Sequence, residues 1–309
     1  MNNLKSKRYN QYSRHIEDIF GCKVYKVTLD AGFSCPNRDG TISKGGCIFC
    51  DEGGSYSRNY NNLQSIEQQL QEGIAHLKVR YKAKKFISYF QAFSNTYAPV
   101  EVLKDTYSRA LMHEDVIGLS IGTRPDCVDS EKIDLISSFA ENNYVWVEYG
   151  LQSIHNKTLK LINRGHDSED FIKAVKLTQN RGINICTHVI IGLPGETRDD
   201  ILETARVLAD LGINGIKLHV LCALKGTELE QMYNREEFKP LPVEEFVETV
   251  CDFLELLPPD VTIHRLAGSG LNEILIAPIW LTERFKVLTR IDVELEKRNS
   301  WQGKFYKQS

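Results

Sequence analysis

The stretch ICTHVIIGLPGETRDDILETARVLADLGINGIKLHVL, Ile185 to Leu221, decides the fold. It opens with a strand-length run, Ile185 to Ile191, that is mostly β-branched, and closes with a second, Ile216 to Leu221. Between them Ile201, Ala205 and Leu208 recur at helical spacing. Thr197 stands three residues before Asp200, the spacing of a capping box at a helix start, and Gly212 sits where that helix should stop. The stretch therefore reads as strand, helix, strand.

The same order recurs upstream. Strand-length runs occur at Val24 to Leu29, Phe86 to Gln91, Val116 to Ile121 and Tyr144 to Gly150. Helical spacing joins Ile66, Leu70, Ile74 and Leu77, with Ser65 and Gln68 as a capping pair, and then Ile133, Ile136 and Phe139; Gly182 marks a further helix stop. Six consecutive βα units make either an open doubly wound sheet or a partial barrel, and both place ligands at the C-terminal ends of the strands. No internal repeat interrupts this order, and Gly226 to Pro242 is the nearest thing to a linker. Beyond it the chain reads as mostly helical, with one short strand at Val261 to Leu266.

Composition narrows the class. Of 309 residues 42% are hydrophobic and 26% charged, and no apolar run approaches the ~20 residues of a membrane helix. Met1 to Arg14 carries Lys5, Lys7, Arg8 and Arg14 without an apolar core behind them, so a secretory signal is not expected and a cytoplasmic protein is. A net charge of −3 gives no bulk attraction to nucleic acid. Eight cysteines in a chain of this kind point to metal, redox or buried-thiol roles rather than a disulfide framework.

Three of them form a constellation after the first strand: Cys35-Pro-Asn-Arg-Asp-Gly-Thr-Ile-Ser-Lys-Gly-Gly-Cys47-Ile-Phe-Cys50. Structural zinc sites usually close with four ligands, whereas three thiolates on a four-iron cluster leave one iron open to a substrate or cofactor. Phe49, between the last two cysteines, would shield such a cluster from water. A zinc site that borrows His15 or Cys22 as fourth ligand is the alternative. The other five cysteines, Cys22, Cys127, Cys186, Cys222 and Cys251, form no Cys-x-x-Cys pair and read as buried thiols, although Cys127 and Cys222 follow the third and sixth strands.

The cysteine loop resembles that of the radical S-adenosylmethionine (SAM) superfamily, whose signature ends in Cys-x-aromatic-Cys. Gly53-Gly54 matches its glycine-rich segment. Glu148-Tyr-Gly-Leu-Gln-Ser153, Asn163-Arg-Gly-His166 and Gly192-Leu-Pro-Gly-Glu196 resemble segments of the branch that includes the elongator catalytic subunit and coproporphyrinogen oxidase. With Lys26 to Gly40 and Ile263-His-Arg-Leu-Ala-Gly268 through Trp301-Gln-Gly303, nearly the whole chain looks like the YhcC-type group of bacterial radical SAM proteins. The eleven residues between Cys35 and Cys47, where three are usual in the superfamily, are a feature of that branch.

The resemblance implies a partial (β/α)6 TIM-like barrel over residues 24–242, a basic N-terminal extension over 1–23, and a mostly helical C-terminal extension over 243–309 that packs on the barrel. It implies a 4Fe-4S cluster on Cys35, Cys47 and Cys50, with SAM on the open iron. Gly53 and Gly54 would receive the SAM amine, and Glu148, with Gln152 and Ser153 beside it, the ribose hydroxyls or amine. Arg164 would take the SAM carboxylate through its donor fork, and Gly192 would let the backbone approach the adenine. Reductive cleavage of SAM would yield a 5′-deoxyadenosyl radical, with a flavodoxin or ferredoxin as electron donor.

RNA, tRNA in particular, is the expected substrate. Lys5, Lys7, Arg8 and Arg14 at one end, and Lys297, Arg298, Lys304 and Lys307 at the other, are interleaved with Tyr9, Tyr12, Trp301, Phe305 and Tyr306, the mixture that holds single-stranded RNA. A small metabolite or a peptide is the second reading, and a non-catalytic metal-binding or interaction protein the third.

Overall fold

The computed structural model describes residues 7–51, 64–268 and 273–307, so that Lys5, Gly53 and Gly54 lie outside the described residues. Six strands follow the sequence expectation to within two residues: β1 (Val24–Leu29), β2 (Lys85–Phe90), β3 (Val116–Thr123), β4 (Tyr144–Gln152), β5 (Asn184–Ile191) and β6 (Gly215–Val220). Three shorter ones come after them, β7 (Ala223–Leu224), β8 (Thr262–Arg265) and β9 (Leu275–Ala277). The helices are α1 (Tyr12–Phe20), α2 (Ile66–Tyr81), α3 (Val100–Ala110), α4 (Ser130–Ala140), α5 (Asn156–Leu161), α6 (Ser168–Thr178), α7 (Arg198–Asp210), α8 (Glu228–Asn234), α9 (Val243–Leu256) and α10 (Arg284–Lys297).

The main sheet is wholly parallel and runs β1-β2-β3-β4-β5-β6-β8. The seven strands lie in chain order, with β7 set apart in a two-stranded pair with β9. A doubly wound sheet must reverse its order at a switch point, so this order excludes it and leaves a curled half-barrel. The expected count of six needs one correction. The short strand foreseen near Val261 pairs Thr262 and Ile263 with Gly215 and Ile216 and becomes the seventh strand of the same sheet. Its four residues bury Thr262 and Ile263, and α8 and α9 make the crossover.

Local chemistry explains the helix starts. Ser65 accepts from the Gln68 amide while the Gln68 side chain returns to the Ser65 amide, and Thr197 and Asp200 do the same for α7. Asp167 and Asp170 make a third capping box, at α6. Helices cover the outer face of the sheet, and the strands carry Phe86, Phe90, Leu119, Ile121, Val145 and Val147 into the main core, all fully buried. A separate apolar cluster, Leu159, Ile162, Ile190, Leu193 and Leu221, lies at the C-terminal ends of the strands, with Ile48 and Phe49 packed against it. Among the described residues no helix is long and apolar enough to cross a membrane.

Candidate active site

The inner face of the half-barrel opens into a cavity of about 980 Å³. Cys35, Cys47, Phe49 and Cys50 line it at the C-terminal ends of the strands, together with Glu148, Gln152 and Arg164. The cysteine loop is held by its own backbone. The Ile48 amide donates to Ile162 O (3.1 Å), the Leu229 amide donates to Ile48 O (2.9 Å), and Asn163 Nδ2 donates to Gly46 O (2.7 Å). Phe49 therefore combines two tasks, packing on the second apolar cluster and walling the cavity.

Three donors reach the sulfurs. Asn37 Nδ2 is 3.6 Å and Arg164 Nη1 3.5 Å from Cys47 Sγ, and Arg38 Nη1 is 3.4 Å from Cys50 Sγ. Burial, with Cys47 beside it, pushes the Cys50 thiol up to about 11, so the thiolate form needs a bound cation to compensate it. N–H groups aimed at sulfur are the surroundings that tune an iron–sulfur centre. Gly165 makes this arrangement fit: it has φ +76, and a Cβ there would collide with Asn37 Oδ1.

The zinc alternative loses its proposed fourth ligands. His15 Nε2 lies 3.4 Å from Tyr144 Oη, at the first residue of β4, and Cys22 precedes β1. Both sit at the N-terminal ends of the strands, while the cysteine loop sits at the C-terminal ends, a strand's length of roughly 20 Å away. Among the described residues no three His, Cys, Asp or Glu side chains converge closely enough for a single metal ion. A four-iron cluster does not need such convergence, since each cysteine takes its own iron.

Arg164 is placed between cluster loop and strand. Its Nη2 donates to Gly150 O at 2.7 Å, and its Nε is buried without a partner among the described residues. An orphaned guanidinium N–H in a cavity wall is what a bound carboxylate would satisfy. Arg124 supports it from behind, with Nη1 donating to Arg164 O (2.8 Å) and a fork onto Asp126. Gln152 holds a left-handed backbone, φ +79, at a register shift between β4 and β5, an uncommon conformation for a residue with a side chain.

Two expected SAM contacts lie elsewhere. Ser153 Oγ donates to the Glu196 carboxylate, behind the cavity wall, because the chain turns after Gln152. Gly192 borders a neighbouring groove in which Leu241 closes on it, whereas Ile190 of the same strand faces the cavity. Cys222 lines the cavity at the end of β6, and Cys127 is buried outside it.

Glu148 sits on the floor of the cavity. It is two residues below Gly150 on β4 and its side chain is 0% exposed. Its Oε1 receives Lys26 Nζ and Ser120 Oγ, both at 2.6 Å. Its Oε2 receives Tyr89 Oη (3.0 Å), His188 Nε2 (2.8 Å) and, in direct contact, Lys217 Nζ. A carboxylate offers about four lone-pair sites, so these donors saturate it. Burial alone would raise Glu148, but Lys217, Lys26 and His188 hold it well below the usual carboxylate range. Burial lowers the Lys217 ammonium to about 8 against the opposing pull of Glu148.

Sequence reading missed this floor of Lys26, Tyr89, His188 and Lys217. The signal was present, since a lysine flanked by apolar residues within Val24 to Leu29, and another within Ile216 to Leu221, marks a charge on the inner face of a two-sided buried strand.

Comparison with known proteins decides the family. Residues 38–208 match the Radical SAM superfamily and residues 213–297 the Radical SAM C-terminal domain. The chain belongs to the radical SAM superfamily. This radical SAM chain is 44% identical over 300 residues to the protein YtqA of Bacillus subtilis, covering 97% of this chain and 93% of that one. It is 38% identical over 288 residues to YhcC of Escherichia coli, covering 93% and 92%. A tRNA uridine(34) acetyltransferase of Methanocaldococcus infernus is 32% identical over 157 residues, covering 48% of this chain and 28% of that protein. The radical SAM fold itself is shared with the solved archaeal Elp3 of that organism lacking its first 46 residues, at TM-score 0.68 and 21% identity over 90% of this chain and 64% of that one.

The buried imidazoles give a testable consequence. Burial, with Lys217, lowers His188 to about 4; burial, with Arg164 and Arg124, lowers His166 to about 2. Burial likewise takes His219 and His264 well below the usual range. Unfolded, each would take up a proton near pH 6.5. Below that pH the unfolded state binds more protons, so stability falls as pH falls, by up to about 1.4 kcal/mol per unit for each such histidine. The urea midpoint is expected to be clearly lower at pH 5.5 than at pH 7.5, and an unchanged midpoint would contradict four neutral histidines.

Proposed function

We propose that this chain is a radical SAM enzyme whose Cys35, Cys47 and Cys50 hold a 4Fe-4S cluster and whose cavity takes SAM and a second substrate. The observation that carries this is the meeting, in one cavity, of three thiols with N–H donors on two of their sulfurs and a guanidinium with an N–H unused among the described residues. When bound and reduced, for instance by a flavodoxin or ferredoxin, the cluster supplies one electron to SAM, releasing methionine and a 5′-deoxyadenosyl radical that abstracts hydrogen from the substrate. The protein's own residues do the rest. Arg164 orients a carboxylate beside the cysteine loop, Gln152 offers an amide at the end of β4, and Phe49 with Ile190 and Leu221 excludes water. Gly53 and Gly54 keep their proposed role toward the SAM amine.

A tRNA substrate is supported by the likeness, over half of this chain, to the tRNA uridine(34) acetyltransferase. The two ends of the chain meet, though not through the C-terminal cations: the Gln302 amide donates to Arg8 O, and Lys7, Arg8, Arg14 and Trp301 line one shallow groove, while Lys297 and Arg298 pair with Glu294. That groove includes Pro259, ahead of β8, and so faces the N-terminal ends of the strands, away from the cavity mouth. Tyr12 is half-buried and lines the cavity, stacked on His264 at 3.9 Å. A small substrate is therefore the reading the geometry favours.

The test is anaerobic. After reconstitution with iron and sulfide, SAM and dithionite are added with and without bulk tRNA, and 5′-deoxyadenosine is quantified. Formation independent of RNA supports the small-substrate reading, and strict dependence on tRNA supports the other. Absence of both cluster and product would leave the non-catalytic reading standing.

A further inference from the structure

The cavity is lined by seven lysines and arginines against one glutamate among the described residues, in a chain whose net charge is −3. Those near the mouth and the cysteine loop are accounted for: Arg38 and Arg164 bond sulfur and backbone, Arg124 is paired with Asp126, and Arg284 is exposed over the Phe285 ring. The floor is different. Lys26 and Lys217 share Glu148, and Arg265 stands beside Lys217 in the β6–β8 register. Among the described residues no side chain or carbonyl bonds the Arg265 guanidinium. Three cations thus face one carboxylate, and the surrounding histidines are neutral.

Lys217 is buried and Lys26 and Arg265 are half-buried, so two cations in excess of the one carboxylate repel each other where water screens them only in part, and a cavity that gathers them is suited to an opposite charge. SAM does not provide it there, because its sulfonium is positive and its carboxylate belongs with Arg164 beside the cysteines. Two more polar atoms at the same level await a partner: His219 Nε2 and His264 Nδ1, both on cavity-lining residues, are buried and unbonded. The volume of about 980 Å³ lies at the top of the roughly 300–1,000 Å³ range of ligand sites, which leaves room for a second molecule beside SAM.

We infer that the floor formed by Lys26, Lys217 and Arg265 binds the anionic group, phosphate or carboxylate, of a small substrate and so presents the rest of that molecule upward to the cysteine end of the cavity. This deepens the proposed function by naming the chemical class of its substrate. Arg265 supplies the fork that fits two oxygens at once, and Lys217, fixed by Glu148 and Tyr89, supplies a point charge.

The test uses the full chain, before and after cluster reconstitution, titrated calorimetrically with inorganic phosphate and with succinate in low-salt buffer. Native protein is expected to bind one of the two at least tenfold more tightly than Arg265→Gln, while Arg284→Gln at the mouth binds as native does. Preference for phosphate assigns a phosphorylated substrate, and preference for succinate a carboxylic acid. Equal binding by native and Arg265→Gln, no binding by either, or loss in Arg284→Gln instead overturns the inference. Arg265 has no partner among the described residues to strand, so the variant should fold; if it does not, Arg265→Lys decides, with weakened binding in support and unchanged binding against. Iron content on the same samples separates the two readings. Anion binding without a cluster removes the radical chemistry and keeps the subsite, and a cluster without anion binding does the reverse.

Discussion

Cys47→Ala is expected to abolish the cluster and with it all 5′-deoxyadenosine formation, while leaving the fold intact. Cys47 is the most enclosed of the three thiols, 7% exposed, and two of the three sulfur-directed donors converge on it. Without its sulfur the loop retains two anchors, and a cuboidal cluster with two open irons is readily lost. The loop itself should persist, because Ile48 remains bonded to Ile162 and Leu229, and Phe49 remains packed. Reconstituted iron should fall from about four per chain to near background, with the visible absorbance, and the melting temperature of the unreconstituted protein should barely move. Full iron content in Cys47→Ala would falsify the assignment of these three cysteines.

Glu148→Gln should act through stability instead. The carboxylate is the only anion on the cavity lining among the described residues and binds Lys26 and Lys217 together. Its neutral isostere keeps the shape but leaves two ammonium groups facing each other. Removing one partner of a buried ion pair costs about 3–5 kcal/mol. Because Lys26 keeps 21% exposure, the lower end applies, and about 3 kcal/mol lowers the melting temperature by roughly 6–12 °C. Glu148→Gln combined with Lys217→Met should recover much of the loss, since the second change removes the stranded charge. Were Glu148 chiefly a ribose ligand, Glu148→Gln would melt like the native chain and only SAM binding would weaken.

These two sites differ in how visible they were beforehand. The cysteine loop could be read from the sequence because its thiols lie close together in the chain: the spacing Cys35, Cys47, Cys50 and the intervening Phe49 mark a candidate cluster loop whatever the rest of the chain does. Arg164 was marked as a candidate through its motif, and it is placed against Cys47 and Gly150. Glu148 was marked as a candidate carboxylate, but its depth was not legible, because one residue's position along a strand fixes only the face it takes. Which donors saturate it depends on β1, β2, β3, β5 and β6 together.

Sequence alone determined the βα alternation, the capping boxes at Ser65 and Thr197, the strand bounds and the cysteine triad, for all of these rest on local periodicity or short-range spacing. Tertiary structure decided the consecutive strand order and the recruitment of Thr262–Arg265 as a seventh strand. It also sent Ser153 to Glu196, and it gathered Lys7, Arg8, Arg14 and Trp301 in one groove with Pro259, apart from the cavity. The reason is the curl of the sheet. Closing seven parallel strands toward one another brings Lys26, Glu148, Lys217 and Arg265, up to 239 positions apart in the chain, onto one cavity floor, and no local pattern encodes a meeting that depends on which strand lies next to which.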